Sequence, residues 1–203
     1  DGYGTNLFND KPVDDQDSQS IRTSLSYVGS ENFGAFLTYT HNKEDDANYV
    51  VHALGPGNPN VKPTEVAQGG VLAPDPRDFN TELVPSNDKE LDSVTLELTW
   101  SLSDSLSLKS LSNYLDYNSD TVTDLGATPV QFLGSTAVQE SEHYSQELQL
   151  TWEGEKHSTL FGLYYFNEDY HSDVQILGPP VFTNVLKRPF VNFYGDLTSD
   201  SYA

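Results

Sequence analysis

Runs of residues that alternate in polarity are separated, turn about, by very short and very long connections. The short ones lie near Gly29-Ser30-Glu31-Asn32, Ser103-Asp104 and Gly154-Glu155-Lys156. The long ones run roughly from Asn42 to Glu90, Asp124 to Glu142 and Asp169 to Asp200. A soluble sandwich has no reason to lengthen every second connection. A transmembrane barrel does, because its periplasmic turns are short and its extracellular loops long. The spacing therefore predicts both a fold and which side of a membrane each loop faces.

The strand-like runs carry period-two polarity, the mark of a sheet with one apolar and one polar face. From Ser20 to Val28, residues Ile21, Thr23, Leu25 and Tyr27 fall opposite Arg22, Ser24 and Ser26. Phe33 to Thr40 follows, with Phe33, Ala35, Leu37 and Tyr39 on one face. The third run is the clearest: Val94, Leu96, Leu98 and Trp100 alternate with Ser93, Thr95, Glu97, Thr99 and Ser101. The fourth, Leu106 to about Thr121, loses phase at Leu111, where a bulge or an apolar patch on the polar face is expected. In the fifth, His143 to Trp152, Tyr144, Leu148, Leu150 and Trp152 share a face that Gln146 interrupts. The sixth, Thr159 to about Glu168, is apolar on both faces through Leu160–Phe166, so its lipid side is open. A seventh begins at Tyr202, and residues 1–19 read as the end of a loop.

Trp100 and Trp152 each precede a short turn. An indole favours the membrane interface, because its body is apolar and its edge polar. The alternative is a pair of core residues at the strand ends of a soluble sheet. The segment from 42 to 90 carries Pro56, Pro59, Pro63, Pro74, Pro76 and Pro85 with Gly69-Gly70, so it is loop.

Composition narrows the function. No apolar run approaches the length of a transmembrane helix, whereas barrel strands need only about 9–11 residues each. The formal net charge of −21 excludes a basic nucleic-acid surface. Many acids fall in the long loops, among them Asp14, Asp15, Asp17, Glu44, Asp45, Asp46, Asp75 and Asp78. They read as solvated surface, with divalent cations shared with lipopolysaccharide phosphates as the alternative. With no Cys, thiolate metal sites and disulfides are excluded. The absence of Met, the polar opening Asp1-Gly2-Tyr3 and the strand-like ending Ser201-Tyr202-Ala203 lead us to expect a segment of a longer chain. No signal peptide is visible at the first residues.

Catalytic motifs are missing. The histidines His41, His52, His143, His157 and His171 form no i, i+4 pair. His41 and His171 lie at outer strand ends, where a metal or haem contact is conceivable; we read them as isolated surface residues. Gly55-Pro56-Gly57 and Gly69-Gly70 read as turns, and no nucleophile elbow or calcium loop is present. Glu44, Asp45 and Asp46 fall in a loop, a poor platform for paired-carboxylate chemistry. We assign no enzyme activity, no catalytic residue, no metal and no cofactor, and leave the ligand-binding residues open.

Ser145-Gln146-Glu147-Leu148-Gln149-Leu150, a short turn, and Gly162-Leu163-Tyr164-Tyr165-Phe166 before acidic residues resemble a barrel hairpin of TonB-dependent outer-membrane receptors. Leu106-Ser107-Leu108-Lys109-Ser110 before Asn113-Tyr114 is similar to the preceding upward strand. Asp1-Gly2-Tyr3 with Asn6-Leu7, the Asp-rich stretch and Arg22 is similar to an earlier loop and downward strand, and Ser201-Tyr202-Ala203 to the start of a later one. The resemblance spans almost the whole chain through short structural motifs. It implies an all-β, antiparallel up-and-down transmembrane barrel of about 22 strands, of which residues 1–203 would supply about six complete ones. The plug domain, the TonB box and the C-terminal strands would lie outside the sequence. It further implies uptake of a scarce nutrient, most often a ferric siderophore, in the outer membrane among lipopolysaccharide, with energy from the TonB complex. A passive porin-type barrel and a soluble secreted carbohydrate-binding β-sandwich are the alternatives.

Overall fold

The computed structural model describes residues 2–47, 51, 60, 64–130, 133–178 and 190–203. The turn expected at Gly55-Pro56-Gly57, together with Pro59, Pro63 and His52, lies outside the described residues. The described chain is all-β apart from one helical turn, α1 (Thr64–Ala67). A small hairpin, β1 (Gly4–Asn6) and β2 (Lys11–Val13), precedes seven long strands. These are β3 (Ser18–Ser30), β4 (Phe33–Asp46), β5 (Ser86–Ser103), β6 (Leu106–Asp124), β7 (Gly134–Glu153), β8 (Ser158–Leu177) and β9 (Phe190–Tyr202).

The seven form one antiparallel sheet in sequence order, β3 through β9. Short turns join β3–β4, β5–β6 and β7–β8 at one end; the long connections join β4–β5, β6–β7 and β8–β9 at the other. The alternation expected from the sequence is therefore built into the sheet. Its boundaries differ. The connections are residues 47–85, 125–133 and 178–189, because the strands run further than their apolar stretches. Ser86–Glu90 and Gln139–Glu142 are polar on both faces, and an alternating pattern cannot reveal a strand with no apolar face. β9 starts at Phe190, where the sequence reading places a seventh strand only at Tyr202, and residues 1–19 hold a hairpin and the start of β3 in place of the expected loop.

Register fixes the faces, since directly opposed residues point the same way. One row reads Leu25, Leu37, Leu96, Ser112, Gln146, Tyr165 and Tyr202. The next, toward the short turns, reads Tyr27, Ala35, Leu98, Ser110, Leu148 and Leu163. The pairing resolves β8: Phe161, Leu163 and Tyr165 join the apolar face, and Leu160, Tyr164 and Phe166 the polar one. The pairing of β6 is unbroken at Leu111, which belongs to the polar face opposite Glu97 and Glu147. The register shift of this hairpin lies instead at Ser101/Ser103, beside its turn.

The polar residues within the apolar face satisfy one another. Ser112 Oγ donates to Gln146 Oε1 at 2.5 Å, and Gln146 Nε2 donates to Ser110 Oγ at 2.9 Å. Gln146 thus interrupts the apolar face without leaving its amide unpaired. On the opposite face, Lys109 Nζ lies 2.9 Å from Glu97 Oε2, and Asn113 Nδ2 donates to Thr95 Oγ1 at 2.9 Å.

No second layer covers this sheet among the described residues. Leu25, Phe161 and Leu163 are 66%, 69% and 67% exposed. The buried apolar residues, Val13, Phe79 and Ala127, sit at the long-loop end. There β1–β2 meets the segment around Phe79, bridged in parallel to Asn6, and Asn6, Thr81 and Thr128 are buried beside them.

Candidate functional site

Two rows of rings frame the apolar face. Toward the long loops, Tyr39, Val94, Tyr114 and Tyr144 form a single cross-strand row. Toward the short turns, Phe33 opposes Trp100 at a ring distance of 5.3 Å, and Trp152 opposes Leu106 one row further on. Both tryptophans therefore fall on the same face at the same end, as their positions before the turns implied.

Immediately beyond the tyrosine row, the same face turns acidic. One row reads His41, Asp92, Asp116, Glu142, Asp169 and Thr198. The next reads Lys43, Glu90, Asn118, Glu140, His171 and Asp196. In the third, Asp45, Asp88 and Asp120 are consecutive cross-strand neighbours. Period two on strands places the acids together: residues two apart in sequence share a face, and the ladder aligns them across strands. Open grooves run between these rows, one lined by Asp116, Glu140, Glu142, Asp169, His171 and Asp196.

Both outer histidines are held by carboxylates on the neighbouring strand. His41 Nδ1 is 3.0 Å from Asp92 Oδ1, which also accepts from Tyr39 Oη at 2.5 Å. His171 Nδ1 is 2.6 Å from Asp196 Oδ1. The hydrogen bond to Asp196 raises the His171 pKa above 6.5, with smaller contributions from the charges of Asp196, Glu140 and Asp173 against a modest desolvation. Asp88 is likewise held above the usual carboxylate range, first by partial desolvation, then by its hydrogen bond with Asp45 and the charges of Asp45 and Asp120.

The placement corrects one expectation and completes another. Glu44, Asp45 and Asp46 are not in a loop: they end β4, paired with Lys89, Asp88 and Asn87. Glu44 Oε2 lies 3.6 Å from Lys89 Nζ, and Asp46 Oδ1 accepts from the Asp17 backbone N–H at 2.5 Å. His41 and His171 do occupy outer strand halves, but neither is isolated. Sequence reasoning missed the acidic rows, because their members lie on six different strands. The available signal was the alternation in Glu90-Leu91-Asp92 and Glu140-Ser141-Glu142.

In the loops, Asp75 pairs with Arg77, whose guanidinium lies 3.2 Å away. The hydrogen bonds from Arg77 hold the Asp75 carboxyl below its ordinary value. Gly69 has φ of +99°, which suits the turn read at Gly69-Gly70.

No protein-family model matches the chain, and no curated protein matches it.

Proposed function

We propose that this chain is part of the barrel wall of a TonB-dependent outer-membrane receptor. It would serve the uptake of a scarce nutrient, a ferric siderophore first among the candidates. The observation that carries the membrane reading is the uncovered apolar face, framed by aromatic rows in a sheet one layer thick. A soluble protein rarely leaves so continuous an apolar patch in water, whereas lipid is its natural neighbour.

In this reading the membrane-spanning segments are residues 21–28, 33–40, 93–102, 106–115, 143–152 and 159–167. The face bearing Leu25, Leu98, Leu148 and Leu163 meets lipid, and that bearing Glu97, Lys109, Asn113 and Glu147 lines the lumen. β7 and β8 each have 20 residues, while a tilted crossing uses about 9–11. The surplus lifts the acidic rows above the bilayer, beside the phosphates of lipopolysaccharide.

A large barrel also accounts for the sheet's edges. Among the described residues β3 and β9 are each paired on one side only, and all of β3 is exposed. Further strands of the same barrel would pair those edges, since an open edge in a bilayer leaves backbone groups unsatisfied at several kcal/mol each. The TonB-dependent assignment, beyond a barrel as such, rests on the resemblance of the β7–β8 hairpin and its neighbours.

Sidedness tests the reading. Asn60→Cys in the protein on intact cells should react with an impermeant maleimide, and Asp104→Cys should react only after the outer membrane is breached. The reverse pattern would overturn the topology. Transport is tested separately: nutrient uptake should cease when TonB is deleted. Continued uptake would indicate a passive pore.

A further inference from the structure

We propose that His41, Glu90 and Asp92 form a binding site for a first-row divalent metal ion of the zinc class. Among the described residues, this is the one group whose histidine and carboxylate ligand atoms all fall within 4.8 Å of one another. The three side chains come from two adjacent strands. His41 and Asp92 are directly opposed across the β4–β5 ladder, and Glu90 stands two residues before Asp92 on the same face.

The spacing suits a metal. Zinc binds imidazole nitrogen and carboxylate oxygen at ~2.0–2.2 Å, so two ligands in a tetrahedral site lie about 3.3–3.6 Å apart. His41 Nδ1 and Asp92 Oδ1 already lie 3.0 Å apart. Glu90 is exposed, so its side chain can swing inward without displacing a packed neighbour. Tyr39 Oη donates to Asp92 Oδ1, orienting the carboxylate from outside the ligand set, as outer partners do in built metal sites.

The donor set selects the ion. Calcium takes six to eight oxygens and magnesium a near-octahedral set rich in water, neither of which favours an imidazole. One imidazole and two carboxylates suit zinc and its neighbours in the first row. The metal would take the Nδ1 lone pair, with the ring carrying its single proton on Nε2; a histidine protonated beforehand releases one proton. Three protein ligands leave one position open for water or for a donor atom of another molecule, so the site is a docking point and not a closed structural clip. The site depends on the β4–β5 pairing alone and stands apart from the membrane reading.

The test is metal titration of the purified protein, with Zn2+ followed by calorimetry and Co2+ by its visible absorption, in excess Ca2+ and Mg2+. One equivalent should bind, with Co2+ giving the intense bands of low coordination. His41→Ala and Glu90→Gln should each weaken binding by at least about tenfold. His171→Ala, which removes the other histidine–aspartate pair, should leave it unchanged. Equal binding by His41→Ala and the unaltered protein would overturn the site. So would equal weakening by His41→Ala and His171→Ala, or displacement by the excess Ca2+, since both would reveal a diffuse acidic surface. Glu90→Gln preserves side-chain volume at an exposed position, so its result does not depend on whether His41→Ala folds.

Discussion

Asn6 pairs with Thr81 as though its side chain were a strand. Asn6 Nδ2 donates to the Thr81 carbonyl at 3.0 Å, and Asn6 Oδ1 accepts from the Thr81 N–H at 3.0 Å. Both residues are fully buried. One amide thus satisfies both backbone groups of a residue 75 positions away and ties the β1–β2 hairpin to the connection between β4 and β5.

Replacing Asn6 with Leu should therefore orphan two buried backbone groups. Each costs about 1–3 kcal/mol, so local destabilisation of about 2–6 kcal/mol is expected. Hydrogen exchange at the Thr81 amide should accelerate accordingly, while amides in the centre of β6 and β7 keep their protection. Asn6→Asp retains the acceptor and should fall between the two. Unchanged Thr81 exchange in Asn6→Leu would show that the pair does not hold this loop.

The two faces of β5 predict opposite tolerance to charge. Leu98 belongs to the apolar face, beside Ala35 and Ser110, and Thr99 to the polar face. In a barrel, Leu98→Arg near the bilayer midplane should cost about 2–4 kcal/mol, and Thr99→Arg much less. Folding titrations into lipid vesicles measure both. Equal losses would deny the strand a single lipid face.

The His171–Asp196 pair gives the sheet a pH-dependent contribution. The folded-state pKa of His171 is raised from 6.5. Its stabilisation is therefore complete below pH 6.5 and fades as pH rises through the folded value. Because His171 is 43% exposed, salt should weaken the effect. An NMR titration of the imidazole should place its midpoint above 6.5, and Asp196→Asn should lower it. A midpoint that ignores Asp196→Asn would remove Asp196 as the cause.

The residues 1–203 alone should not form a stable monomer in water. Val13, Phe79 and Ala127 make a very small buried core, and the apolar face and the β3 and β9 edges invite association. Expression without detergent tests this. A monodisperse monomer with a cooperative melt would favour a sheet that closes over itself.

The apolar halves of the strands were legible because period two survives wherever one face is apolar. Ile21 to Tyr27 and Val94 to Trp100 announced their faces directly. The outer halves were not, since in Ser86-Asn87-Asp88-Lys89-Glu90 neither face is apolar. β8 failed for the opposite reason: Leu160–Phe166 is apolar on both sides, and only pairing with β7 sets its phase. The acidic rows needed the register of several ladders at once, because no two of their cross-strand neighbours are close in sequence. Asp92 and Asp116 are direct partners across the β5–β6 hairpin, yet each alone reads as one more solvated acid.

The strict alternation of short and long connections makes the sheet a device with parity. Each strand reverses the direction of travel, so a loop's side is set by whether an even or odd number of strands precedes it. Gain or loss of one strand would move every later loop to the opposite end, carrying the short turns where long ones belong. Gain or loss of a hairpin changes only the circumference. A sheet wound in this way can be enlarged or trimmed over evolutionary time in twos, and its smallest heritable unit is the hairpin.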